Sequence, residues 1–208
     1  MIQTIKTVKY AFYILFHPND GFWELKNHMP KTLGAANLIL ALLCFMNVLS
    51  IQFTSFHYGI LDRDSNNIIF NVSSFVVPLA AWTILNWALS TLLDGKATMK
   101  QIWVQSIYSL VPVLLSMPVL MICSYIMTHE EATFYYLISS IAVIWSVFLF
   151  LVGNMTIQDY TMRKTILMAL FTIAGIAASI FIGIILFSTF QQLISFITTV
   201  ITEIRFMP

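Results

Sequence analysis

A chain of 208 residues that is 59% hydrophobic and only 9% charged cannot clothe a water-soluble domain, in which about 25% of residues are charged. Ten Lys and Arg against nine Asp and Glu leave a formal charge of +1, which argues against a nucleic acid partner, since phosphate binding needs a basic patch on one face. Cys44 and Cys123 both fall inside apolar runs and read as buried structural thiols.

In chain order, Ile2, Ile5, Val8, Phe12 and Leu15 recur at helical spacing, with Gln3, Lys6 and Lys9 off that stripe. The pattern predicts a helix lying in the headgroup region. The apolar run 10–16 is short and is followed by His17-Pro18-Asn19-Asp20 without a small-residue cleavage site, so no signal peptide is expected. Pro18 interrupts the first helix, and Asn19 or Asp20 is positioned to cap a second short one through Phe22, Trp23 and Leu25, with Trp23 suited to the interface. Residues 1–32 are therefore expected to form a cytoplasmic interfacial segment, whose first helix floats on the membrane rather than spanning it.

A spanning helix needs about 20 mostly apolar residues. Five segments meet that requirement: 33–53, 68–93, 102–127, 132–156 and 166–188, none containing Asp, Glu, Lys, Arg or His. Together they predict an all-α integral membrane protein with a transmembrane domain over 33–188. Pro78, Pro112 and Pro118 lie inside spans, and the last two are expected to bend the third span twice. Asn37, Asn47, Asn71, Asn86, Gln105 and Asn154 are uncharged polar residues within spans. They read as interhelical hydrogen-bonding groups or, alternatively, as the lining of a polar cavity.

The fifth span carries Gly175, Ser179 and Gly183 at four-residue spacing beside Ala174 and Ala178. Small residues on one stripe let helices approach closely in lipid, so this is a predicted packing face, toward another span or toward a partner subunit, including a second copy of the chain. Beyond it, Leu193, Phe196, Ile197, Val200 and Ile204 oppose Gln192, Ser195, Thr199, Thr202 and Glu203. Residues 189–208 thus predict an amphipathic helix on the outer surface, or a continuation of the fifth span.

The connections carry the charge. Lys6, Lys9, Lys26, Lys31, Lys96, Lys100, Arg163 and Lys164 fall on one side of the predicted topology, and only Arg63 and Arg205 on the other. The bias places the N-terminus in the cytoplasm and the C-terminus outside.

Catalytic signals are lacking. His129-Glu130-Glu131-Ala132-Thr133 begins like the helical zinc-protease motif, but Thr133 stands where the second His is required. No phosphate loop or nucleophile elbow is present. No catalytic, cofactor-binding or metal-ligating residue is assigned, and the chain reads as a non-enzyme.

Certain short segments resemble the Yip domain family of small membrane proteins, whose eukaryotic members interact with Ypt and Rab GTPases. They are Phe16-His17-Pro18-Asn19-Asp20-Gly21-Phe22, Gly95-Lys96-Ala97-Thr98 leading to Tyr108-Ser109-Leu110-Val111-Pro112, and the stretch from Asp159-Tyr160 to Lys164-Thr165. The C-terminal segment from Phe196-Ile197 to Glu203-Ile204 is similar to bacterial members. Ala97 stands where a second glycine is expected, and Asp159 where many relatives have histidine. The long polar N-terminal region of eukaryotic relatives is missing, which argues against a Rab-type GTPase partner.

The resemblance implies a bacterial cytoplasmic membrane protein acting as a scaffold or accessory subunit for another integral membrane protein, with a sugar-uptake ABC transporter as the associated class. A small transporter or channel, and a membrane-shaping or trafficking factor, are the alternatives. Candidate partner-binding residues gather on the cytoplasmic side by topology: Pro18, Asp20, Gly21, Phe22, Trp23, Gly95, Lys96, Tyr108, Pro112, Asp159, Tyr160 and Arg163.

Overall fold

The computed structural model describes residues 10–27, 33–55 and 67–206. Ile2, Ile5 and Val8 of the N-terminal stripe, the cations Lys6, Lys9 and Lys31, and the loop charges Asp62, Arg63 and Asp64 lie outside the described residues. Helix α1 covers 10–16. It is followed by α2 (Pro18–Asn27), α3 (Leu33–Phe53), α4 (Ile68–Leu92), α5 (Met99–Ser109), α6 (Val111–Ile126), a 3₁₀ turn (His129–Glu131), α7 (Ala132–Gln158) and α8 (Met162–Phe206). No strand occurs among the described residues.

Five helical stretches are long and apolar enough to cross a membrane, with α5 and α6 together forming the third. That third stretch is the centre of the bundle: 39% of its most apolar window is buried, against 6% for the second and fifth. It packs on α3, α4 and α7, and α8 lies outermost against α4 and α7. The outward faces carry large exposed apolar side chains such as Phe45, Ile69, Ile144 and Phe181. Only a hydrocarbon solvent matches such a surface at this scale, and helices with internally satisfied backbones are what it admits. The chain is an integral membrane protein.

The third span is broken once rather than bent twice. α5 stops at Ser109, Leu110 leaves regular helix geometry with φ −88° and ψ 0°, and α6 begins at Val111 with Pro112 in its first turn. Pro112 has no N–H to give to the preceding turn, so the helix restarts where that missing donor is harmless. Pro118 and Pro78 sit within α6 and α4, which continue through them.

α8 is a single helix of 45 residues, about 67 Å at 1.5 Å per residue, against a hydrocarbon core of about 30 Å. Residues 189–206 therefore do not form a separate helix. Between Ser188 and Gln192 there is no Gly or Pro to stop the fifth span, and Thr189 turns its hydroxyl to the Ile185 carbonyl within the same helix at 2.9 Å instead of capping a new one. Of the two glycines in the small-residue stripe, a Cβ on Gly175 would lie 3.7 Å from Leu89 of α4, whereas one on Gly183 would meet nothing within 4 Å. Ser179 is exposed.

The N-terminal helices are built into the bundle. α2 packs on α7 and α5, and Phe22 is fully buried in one apolar cluster with Ile14, Ala36, Ile39, Ile107, Tyr108, Val111 and Leu149. α2 is thus docked against the bundle. The reason is its composition: Phe22 and Leu25 present a small apolar face that the bundle covers, while Phe16 and Trp23 remain exposed and keep an interfacial character.

Candidate functional site

Two turns separated widely in sequence meet the end of α2 at one end of the bundle. α7 ends at Gln158, and Asp159 takes the left-handed conformation (φ 57°, ψ 39°), which lets the Tyr160 N–H reach the Met155 carbonyl at 3.0 Å. Asp tolerates this region better than most residues. α4 ends in the same manner: Asp94 has φ 56°, and the Gly95 N–H reaches the Ser90 carbonyl at 2.8 Å. α5 then opens with a reciprocal cap, in which the Thr98 N–H donates to Gln101 Oε1 at 2.9 Å and the Gln101 N–H to Thr98 Oγ1 at 3.4 Å.

Asp159 ties the segments together. Its carboxylate lies 2.6 Å from Lys26 Nζ of α2 and 3.4 Å from Lys96 Nζ of the α4–α5 turn. The hydrogen bond from Lys26 is the main cause holding this carboxyl below its ordinary value of 3.8, with the charges of Lys26 and Lys96 adding and partial burial opposing. Gln101 Nε2 also donates to the Lys26 carbonyl at 3.3 Å, closing the end of α2 onto α5.

A buried polar chain runs beneath. The Ala97 N–H donates to Gln158 Oε1 at 3.1 Å, Gln158 Nε2 to Asn86 Oδ1 at 3.3 Å, Asn86 Nδ2 to Thr172 Oγ1 at 3.3 Å, and the Thr172 hydroxyl to the Met168 carbonyl at 2.7 Å. Asn86, Gln158 and Thr172 are buried, so each bond replaces a contact that neither water nor lipid can supply. Tyr160 roofs this chain: its hydroxyl donates to the Leu93 carbonyl at 3.1 Å, and burial, followed by the nearby charge of Asp94, raises its phenol. Lys164 lies 4.3 Å from the centre of the Tyr160 ring.

Gly95 fits because it has no side chain. An added Cβ would stand 2.5 Å from Gln158 Oε1 and 2.6 Å from both Ser90 Cβ and Tyr160 Oη. Gly21 has the same role where α1 crosses α2, since its Cβ would fall 2.7 Å from Ile14 Cγ1. Tyr10 secures that crossing by donating to the Gly21 carbonyl at 3.3 Å and to the Glu24 carboxylate. Burial, then Glu24, pushes its phenol up.

The structure brings together Gly95, Lys96, Asp159 and Tyr160, with Gly21 and Phe22 joined to them through α2 and Lys26. Tyr108 and Pro112 are buried in the core behind this surface. Pro18 opens α2 at its first position, so the residue before the helix is His17 rather than Asn19 or Asp20; Asp20 stays exposed in the first turn. Trp23 and Arg163 point outward. Lys26, Gln158, Thr172 and Gly153 were not among the predicted site residues. Gln158 had a legible signal, as a lone amide four residues after Asn154 on the same helix.

Of the intramembrane amides, Asn86 and Gln105 bond across helices, the latter by donating from Nε2 to the Phe150 carbonyl at 3.0 Å. Gly153 leaves the room for it, since a Cβ there would come within 2.6 Å of that amide. Asn37 accepts from Trp103 Nε1 at 3.0 Å. Asn154 Oδ1 is buried without a partner among the described residues. Under α2, the space bounded by Leu25, Gln101, Val104, Gln105 and Ile157 has no room for a water. Chemically the arrangement is a rigid, capped surface. Among the described residues no three His, Cys, Asp or Glu side chains gather as metal ligands.

Because Lys26 is mostly covered and Asp159 is half-exposed, Lys26→Gln is expected to cost little, about 0.5 kcal/mol after solvent screening, read as a small drop in the thermal midpoint. The pH sign follows from a depressed carboxyl: the contribution of Asp159 is present at neutral pH and is lost as pH falls through 3.8 and below. The midpoint of Asp159→Asn should therefore be less acid-sensitive than that of the natural chain.

The family model described as Yip1 domain matches residues 12–185. No curated protein and no solved structure matches the chain.

Proposed function

This chain belongs to the Yip1 domain family, a family of non-catalytic membrane proteins, and from that premise we propose that it is a membrane scaffold or accessory subunit without enzymatic activity. Its docking surface is the end of the bundle formed by α2, the α4–α5 turn and the α7–α8 turn, and its partner is another integral membrane protein. The observation that carries this reading is the meeting of Lys26, Lys96 and Asp159 from three distant segments. They fix the outward-facing Trp23 and Arg163 on a preformed frame, and a preformed surface lowers the ordering cost of association.

The excess of Lys and Arg on these segments favours a cytoplasmic location for this end, in a bacterial cytoplasmic membrane, with the far end of α8 outside. A sugar-uptake ABC transporter is the partner class that the family resemblance favours. A transport role for the chain itself has less support, because Asn86 and Gln105 are engaged in interhelical bonds rather than lining a polar passage.

Isolation from native membranes in mild detergent, followed by mass spectrometry of co-purifying proteins, tests the proposal. We expect an integral membrane partner that is lost from the double variant Trp23→Ala, Arg163→Glu while the variant itself remains folded. Recovery of the natural chain only as a free monomer under several gentle conditions would contradict it.

A further inference from the structure

A further feature lies away from this surface. A groove of about 300 Å³ opens between α4 and α5, lined by Ala80, Thr83 and Ile84 on one side and Met99, Lys100 and Trp103 on the other. Leu33, at the start of α3, completes its mouth.

Its walls offer nothing to a polar solute. The Thr83 hydroxyl is turned to the Leu79 carbonyl of its own helix at 2.8 Å, and the Trp103 indole N–H is held by Asn37 Oδ1 at 3.0 Å. Apart from Lys100, the lining residues capable of hydrogen bonding are thus already engaged, and the surface exposed inside the groove is apolar. The rim differs. Lys100 is exposed in the first turn of α5, where the span begins, and it has no carboxylate partner among the described residues.

Size selects the occupant. At about 300 Å³ the groove is too small to take a whole helix, about 10–12 Å across, and suits a thin apolar chain. Along α4 the lining runs over four residues, from Ile84 to Ala80, about 6 Å, a length that takes part of one acyl chain. We propose that this groove is a binding site for an anionic phospholipid, with one acyl chain between α4 and α5 and the phosphate at Lys100.

The site lies on the lipid-facing flank and is independent of the docking surface. It would splint α4 to α5 next to the turn that carries Gly95 and Lys96.

The full-length protein, delipidated in detergent, is titrated with phosphatidylglycerol and with phosphatidylcholine of identical acyl chains. Occupancy is read by native mass spectrometry and by quenching of tryptophan fluorescence with chain-brominated lipid, using Trp103→Phe to identify the local signal. We expect phosphatidylglycerol to bind about fivefold tighter, the factor that one cation beside an anionic headgroup supplies. Lys100→Gln should remove this preference while the brominated chain still quenches Trp103. Ala80→Trp should fill the groove and remove that quenching. Inorganic phosphate should not compete.

Equal affinity for the two lipids in the natural chain would overturn the assignment. So would a preference that survives in Lys100→Gln, or quenching insensitive to Trp103→Phe. Should Ala80→Trp fail to fold, the Lys100→Gln and Trp103→Phe arms decide alone.

Discussion

Phe22→Ala is expected to release α1 and α2 from the bundle while leaving the spans assembled. Phe22 is fully buried, together with Ile14, and Leu25 is 3% exposed. Deleting a buried aromatic ring costs about 3–5 kcal/mol, and fully burying a neighbour of the size of Ile14 or Leu25 contributes about 1.5–3 kcal/mol. Loss of the ring therefore removes a large share of what holds so short a segment, since a helix of 10 residues has little stability of its own. The remaining ties, the Lys26 to Asp159 ion pair and the bond from Gln101 to the Lys26 carbonyl, are too weak to replace it. Amide exchange should show 18–27 losing protection by orders of magnitude while 132–158 is unchanged, and trypsin should cut at Lys26. Full protection of α2 in the variant would mean that the ring does not anchor it.

The second large effect is expected at Gly95. Its φ is not positive, so the constraint is steric rather than conformational. Three groups crowd the position that a Cβ would take, and one of them is the Ser90 Cβ, which cannot swing away as the end of a flexible chain would. Gly95→Val must push apart Gln158 and Tyr160, breaking the bonds from the Ala97 N–H and to the Leu93 carbonyl. Overpacking alone costs about 1–3 kcal/mol, and a buried N–H left without a partner costs about 1–3 kcal/mol more. The thermal midpoint in detergent should fall by many degrees, and Gly95→Ala should fall in between. Removing the clashing hydroxyl by Tyr160→Phe should recover part of the loss in Gly95→Ala. No recovery would place the strain at Gln158 and Ser90 instead.

The spans were legible because lipid imposes one simple rule on sequence: no ionisable residue over a bilayer's depth. The first predicted span coincides with α3, and the second stops one residue later than α4. Where the prediction went astray, the deciding contact was tertiary. The amphipathic pattern around Phe22 fits a surface helix and a docked one equally well, and only the apolar cluster beneath it distinguishes them. Pro112 and Pro118 predict two bends in the third span, yet there is one break, at Leu110, because the missing donor of Pro112 acts on the turn before it. In the candidate site, Gly95, Lys96, Asp159 and Tyr160 were readable as turn residues. Their mutual contact was not, since no local pattern encodes that Asp159 meets Lys26 from 133 positions earlier. Thr172 carries no mark of its role in the sequence, because hydroxyls in spans differ only in where their partners stand.

That these turns and α2 form one preassembled surface is testable in intact membranes. With Cys44 and Cys123 replaced by alanine, cysteines introduced by Lys26→Cys and Asp159→Cys should be joined within a single chain by a short bifunctional thiol reagent. The link should vanish when Phe22→Ala is added. A membrane-inserted, folded chain in which Lys26→Cys and Asp159→Cys are never bridged would contradict the account.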